Sequence, residues 1–336
     1  MWNIEERGFL PNNDPIAFLP VSDIKSLELV HTWENFSHVL PHYLKEGCVR
    51  EELICDLRKA SQSYYHGCID NLGGSSAHER TFLLLSYFAT AYINSPESKK
   101  KSKLPKEIVI PFARVAHLVS RNPVLDYTSF ILYNWKIKDP TAGFTTSNIE
   151  ILNTFTDSPH ERSILVSLVE MESIGIELIQ NLSSPLIVAE KVNKINRVLH
   201  KAKKDVSVEF LSYWGELFSD YKDLKYEQWR PDLLTFPCDV FLQTPLLALL
   251  YKYLDIHFQN DYLNKRSEEL QAPHSHRIFI ASISGIRNKS INQEYYREGY
   301  NCCLNELIAL RNHLLFRSSD IERGVIATKE LNGYYL

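Results

Sequence analysis

The chain has 336 residues, 44% hydrophobic and 12% aromatic, and a formal net charge of −4 at pH 7. That length accommodates two domains, and that apolar content excludes a disordered chain, which could not bury enough surface to offset its ordering entropy. A general nucleic-acid binder would be basic, and the twelve glycines form neither a Walker nor a dinucleotide phosphate loop.

Pro11, Pro15 and Pro20 break the first twenty residues into what reads as an extended arm. Helical periodicity follows. Leu27, Val30, Trp33, Leu40 and their neighbours recur at i, i+3, i+4, and Leu53, Ile54, Leu57, Tyr64 and Ile69 continue the pattern. "RTFLLLSYFATAYI" is apolar almost all round, which predicts a buried helix. The polar, basic stretch Ser95–Lys103, flanked by Pro96 and Pro105, reads as a solvated boundary between domains. Beyond it, "TSFILYNWKI", "ERSILVSLVEMESIGIELIQNL", a long run from Ser184 to Phe218, "TPLLALLYKYLDIHF" and "GYNCCLNELIALRNHLLF" are all read as helical. "RIFIASISGI" fits either state at its length. No repeat of about 20–50 residues is visible, and the fold class expected is all-α.

The six cysteines, Cys48, Cys55, Cys68, Cys238, Cys302 and Cys303, make no C-x-x-C pair and read as reduced thiols of a cytoplasmic protein. The N-terminus has no basic-then-apolar leader, and no run of about 18 apolar residues predicts a membrane span. No G-x-S-x-G elbow marks a serine hydrolase. His274 and His276 have a chelating spacing without a visible third ligand. Asp126, Glu170 and Glu172 are carboxylates without an identifiable partner.

"ALRNHLLFRSSDI" (Ala309–Ile321) carries His313. On a helix it shares a face with Ala309, Leu310, Phe316 and Arg317. A flat porphyrin could lie there, since one axial histidine suffices to hold haem iron. An ordinary core or surface histidine fits the same pattern, and periodicity does not separate the two.

Several stretches together resemble the indoleamine 2,3-dioxygenase family. "RGFLPNNDP…FLP" is similar to its N-terminal arm, and "LPKEIVIPFARVAHLVSRNPVLDYTSFILYNWKIKDP" (Leu104–Pro140) to its linker and first large-domain helix. "ILVSLVEME" and "APHSHRIFIASI" are similar to later segments, and "LIALRNHLLF" falls where the family carries its proximal haem histidine. Each motif is moderately specific, and their collinearity carries the likeness. It implies a small N-terminal helical domain (1–103), a linker (104–123) and a large helical domain (124–336), with haem b between the domains. His313 becomes the iron ligand. Tyr127, Phe130, Ser163 and Phe241 become the substrate side, and Ser167 or Thr328 becomes a hydrogen-bonding partner of oxygen or substrate. Ser167, Val240, Phe241 and Arg311 lie near the cofactor. The partners implied are haem, a small aromatic substrate and dioxygen or peroxide.

This sequence departs from the family on the substrate side. Phe130 replaces a smaller residue, Ser163 a stacking phenylalanine, and Gly215, beside Glu216, the arginine that grips the substrate carboxylate. "CDVFLQTP" (Cys238–Pro245) replaces a loop of small residues, which would approach a ligand closely. "GVIAT" (Gly324–Thr328) stands for a glycine-rich loop. Arg311 lies two residues before His313, where the family has its propionate arginine three before. The expectation is an oxidative haem enzyme for an indole or other aromatic substrate, with L-tryptophan a poor one. The alternatives are a haem-binding or sensing protein without turnover, and a helical interaction protein that has lost haem.

Overall fold

The computed structural model describes residues 8–11, 24–61, 69–72, 74–95, 104–142, 144–204, 206–207, 209–210, 214, 244–254, 272–283 and 294–314. They are mainly helical, as the 3.6-residue periodicity predicts. Packing sorts the chain into two compact units. One is Asn13–Arg162 with Tyr213–Cys238, and the other is Met1–Asn12, Ser163–Ser212 and Asp239–Leu336.

In the first unit α1 (Ile24–Glu46) and α2 (Val49–Ser61) pack on each other and on α3 (Ser75–Asn94). Residues 81–91 of α3 are buried without a break, so a helix apolar on all sides takes the centre of this unit. Gly47, at φ +70, makes the turn from α1 to α2 in the left-handed region that suits glycine. The stretch 104–123, expected as a linker, carries α4 (Lys106–Leu118). Ile108, Phe112, Val115 and Ala116 give α4 one buried face, and Phe112 meets Phe82 of α3 edge-on at 5.1 Å. The first packing unit runs on through 104–123 as far as Arg162.

"TSFILYNWKI", read as helical, folds instead as a π-helical turn, Thr128–Leu132, followed by β1 (Trp135–Ile137). β1 pairs antiparallel with β2 (Ile149–Ile151), Trp135 opposite Ile151 and Ile137 opposite Ile149. Two bonds stop the helix: the Trp135 indole donates to Leu132 O at 2.9 Å, and Leu152 N donates to Asn134 O at 3.1 Å. Lys136 and Glu150 add a cross-strand ion pair at 3.2 Å.

Helix α5 (Pro159–Gln180) begins in the first unit and runs into the second. The second unit adds α6 (Pro185–Lys204), α7 (Pro245–Tyr253), α8 (His274–Ser282) and α9 (Glu294–Leu314). "RIFIASISGI" is thus helical as far as Ser282. The pairing of α6 with α9 is the most extensive among the described elements. It runs in parallel: Gly299 abuts Pro185, Cys303 Sγ donates to Pro185 O at 3.0 Å, and Asn193 and Asn196 donate to the Glu306 carboxylate at 2.8 and 2.7 Å. Residues 8–11 of the expected arm are buried in this unit, with Phe9 against His276 and Phe279. Among the described residues no helix is long and apolar enough to cross a membrane.

Candidate functional site

Tyr127 and Phe130 sit on the turn that follows α4. Helix α4 closes with Ser120 N bonded to His117 O (3.1 Å) and Arg121 N to Ala116 O (3.0 Å), a Schellman ending. Ser120 takes the left-handed position at φ 54, where glycine is usual. The reversal turns Arg121 inward, and its side chain is 1% exposed.

Arg121 Nη1 donates to both oxygens of Asp126, at 2.8 and 2.7 Å, and Nη2 donates to Glu79 of α3. The guanidinium also lies over the Phe82 ring at 4.4 Å. Asp126 Oδ1 accepts from Ser129 N and from Ser129 Oγ, both at 2.8 Å, and so caps the turn. Tyr133 N closes the π geometry on Thr128 O at 3.0 Å. Such turns are uncommon and cluster at functional sites. Burial pushes Glu79 up to about 7 and raises Asp126, in spite of the shared guanidinium. The sequence alone does not reveal Arg121 as the partner of Asp126. An Arg at i−5 across Asn-Pro has no helical periodicity to reveal it.

Tyr127 is fully buried. Phe130 is also fully buried, with ring centroids 5.8 Å from Tyr87, 6.0 Å from Phe155 and 6.3 Å from Trp214. Tyr87 stacks on Phe155 at 4.3 Å and donates its hydroxyl to Asn153 O at 3.0 Å. Beneath this cluster Glu161 accepts from Phe155 N, Thr156 N and Thr156 Oγ1, at 2.9, 2.8 and 2.6 Å. Burial nevertheless pushes Glu161 up to about 7.

Ser163 and Ser167 belong to the second unit, on α5. Ser163 is exposed, and Ser167 is 9% exposed with its hydroxyl donated to Ser163 O at 2.8 Å. The Ser167 proton is thus committed to the helix, and the lone pairs of Oγ remain acceptors. Glu172 finds a partner that the sequence did not suggest: Thr244 Oγ1 donates to it at 2.6 Å while accepting from Leu246 N to cap α7. His274 and His276 separate on α8, one exposed and one buried, because i and i+2 on a helix face opposite ways.

Arg311 and His313 lie in the last turn of α9. The helical register puts position 313 on the row of Glu306, Ala309 and Leu310. Ala309 is half-buried and Leu310 is buried. Val240, Phe241 and Thr328, like Gly215, Gln243 and Gly324, lie outside the described residues. No group of three histidine, cysteine or acidic side chains is arranged to hold a metal ion among the described residues.

The family model for indoleamine 2,3-dioxygenase matches residues 1–211. Indoleamine 2,3-dioxygenase 1 of Rattus norvegicus is 26% identical over 91% of this chain and 80% of its own length. The Mus musculus protein of the same name is 28% identical over 91% and 80%. The 6-hydroxytryptophan 2,3-dioxygenase of Fusarium equiseti is 22% identical over 85% and 75%. The match takes in α1 to α6, including the capped turn at Asp126 and the serines of α5, and the chain therefore belongs to the indoleamine 2,3-dioxygenase family.

Proposed function

We propose that the protein is a haem b-dependent oxygenase acting on an indole or another aromatic substrate, in which His313 would hold the iron. Family membership is the observation that carries this reading. His313 lies beyond the matched residues, and its assignment rests on the Arg-Asn-His stretch and on the register of α9. On that register the half-buried Ala309 and the apolar Leu310 share the row of position 313. A single protein ligand can hold haem iron, so no multidentate cluster is needed.

Haem b, when bound, supplies the redox-active iron that activates dioxygen or peroxide toward an electron-rich ring. The chain's own residues bind and orient. By family likeness alone, Tyr127, Phe130, Ser163 and Phe241 are assigned to substrate, Ser167 and Thr328 to hydrogen bonding with oxygen or substrate, and Val240, Phe241 and Arg311 to the cofactor. Ser167 is suited to accept a substrate N–H, because its own proton is committed to Ser163 O.

Hemin titrated into the purified protein gives a stoichiometric ferric band, and His313→Ala loses or shifts it, in ultraviolet–visible spectra of the ferric and ferrous–carbon monoxide forms. A wild type without a specific band overturns the reading.

L-Tryptophan is expected to be turned over poorly. The family's carboxylate-gripping arginine is Gly215 here, beside Glu216, which weakens binding of a free amino acid by about 2–5 kcal/mol. Ordinary N-formylkynurenine production would contradict this. The Fusarium relative, named for 6-hydroxytryptophan, supports an altered indole as substrate.

A haem-binding protein without turnover is the second reading. It is favoured by Phe130, whose ring is enclosed by other aromatics. Tight haem uptake with no oxygenase or peroxygenase product would decide for it.

A further inference from the structure

Resting on the assignment of Tyr127 to the substrate side, we propose that Arg121 is a positioning residue of the site. It holds the Thr128–Leu132 turn, and Tyr127 with it, by bridging Asp126 to Glu79 of α3.

A π-helical turn is a poor structure by itself, and this one lies where water cannot complete its hydrogen bonds: Asp126, Tyr127, Thr128 and Ser129 are all fully buried. Asp126 satisfies the Ser129 amide and hydroxyl, so the turn depends on where that carboxylate sits. Its position is set from outside the turn. The left-handed Ser120 reverses the chain and delivers Arg121 into the core. One terminal nitrogen then takes Asp126 and the other takes Glu79. Glu79 stands on α3, whose residues 79–91 are all buried, so the bridge ties a short irregular turn to the central helix of this unit.

The guanidinium suits this task and an ammonium does not. Two carboxylates approach two separate nitrogens of one planar group, whereas lysine offers a single nitrogen to both. A cation needed only to neutralise Asp126 would require neither the second carboxylate nor the face of Phe82.

Arg121→Lys keeps the charge and loses the bridge. Hydrogen exchange of the full-length native protein, read by mass spectrometry, should quicken at least tenfold in peptides covering 124–134 and stay unchanged in 159–180. On the haem-loaded protein, the indole concentration that half-perturbs the ferric band should rise about fivefold. Asp126→Asn keeps an acceptor for Ser129 and weakens only the bridge. It should show the same local loosening, and it replaces Arg121→Lys if that variant does not fold. Unchanged exchange at 124–134, equal acceleration in both regions, or a loosened turn with unchanged indole affinity would each overturn the proposal. If wild type takes up no haem, the functional reading fails, and exchange at 124–134 alone decides whether Arg121 holds the turn.

Discussion

Gly299→Ala is expected to destabilise the protein by about 2 kcal/mol, the cost of forcing a methyl into a filled contact. Helix propensity alone predicts the opposite sign, because alanine is favoured over glycine in a helix interior by about 1 kcal/mol. Packing decides between them. A Cβ at position 299 would run into Pro185 Cβ and meet Leu186 N and Pro185 C at 3.3 Å. Those atoms are ring and backbone, with no flexible side chain to swing aside. Helix α9 must back away from α6, which stretches the bonds from Asn193 and Asn196 to Glu306 and from Cys303 to Pro185. Urea denaturation compares the variant with wild type. A midpoint equal to or above that of wild type would show that the two helices are not in this contact. Gly299→Val should cost more, since β-branching adds bulk at the same point.

Stability should fall as pH rises from about 4.5 to about 7 and then level off. Glu79 and Glu161 carry this effect. Burial lifts each from the ordinary 4.5 to about 7 in the folded protein, despite Arg121 beside one and backbone donors around the other. A carboxyl whose pKa is raised by folding keeps its proton longer in the folded state than in the unfolded one. Between the two values the folded protein therefore binds more protons, and each step up in pH favours unfolding. The contribution is fully present below about 4.5 and is gone above about 7. A shift of this size corresponds to about 3 kcal/mol per group. Asp126 is raised by burial too and adds in the same direction. Glu79→Gln removes one of these protons from the balance. Its stability should vary less steeply than that of wild type between pH 5 and pH 8. Denaturant midpoints across pH 5–8 test this, and parallel curves for the two proteins would count against it.

The sequence made some elements plain and hid others, for definable reasons. Helix α3 was legible because an apolar run on every face has no stable place except a core. Helix α4 was hidden by its prolines and basic approach, although Ile108, Phe112, Val115 and Ala116 already formed one face. The turn at Thr128–Leu132 looked helical because apolar spacing does not distinguish a helix from a turn leading into a strand. The hairpin depended on a tertiary partner, since Asn134 bonds to Asn153, nineteen positions away. On the candidate site, Tyr127 and the serines of α5 were visible only through family likeness. The bridge of Arg121 to Asp126 and Glu79 was not visible at all. It needs a chain reversal at Ser120 and a carboxylate 42 positions earlier, and no local pattern encodes either.

The parallel pairing of α6 with α9 also bears on how the chain folds. Its bonds join residues 110 to 118 positions apart, among the longest sequence separations in the fold. Closing so large a loop costs conformational entropy before any contact repays it, whereas α1 and α2 meet across a single short turn. During synthesis α6 emerges with its partner still unmade, and its apolar face waits uncovered until some hundred further residues have been added. The helix that carries His313 thus docks late, and a cofactor held by it would be acquired by a chain already largely folded.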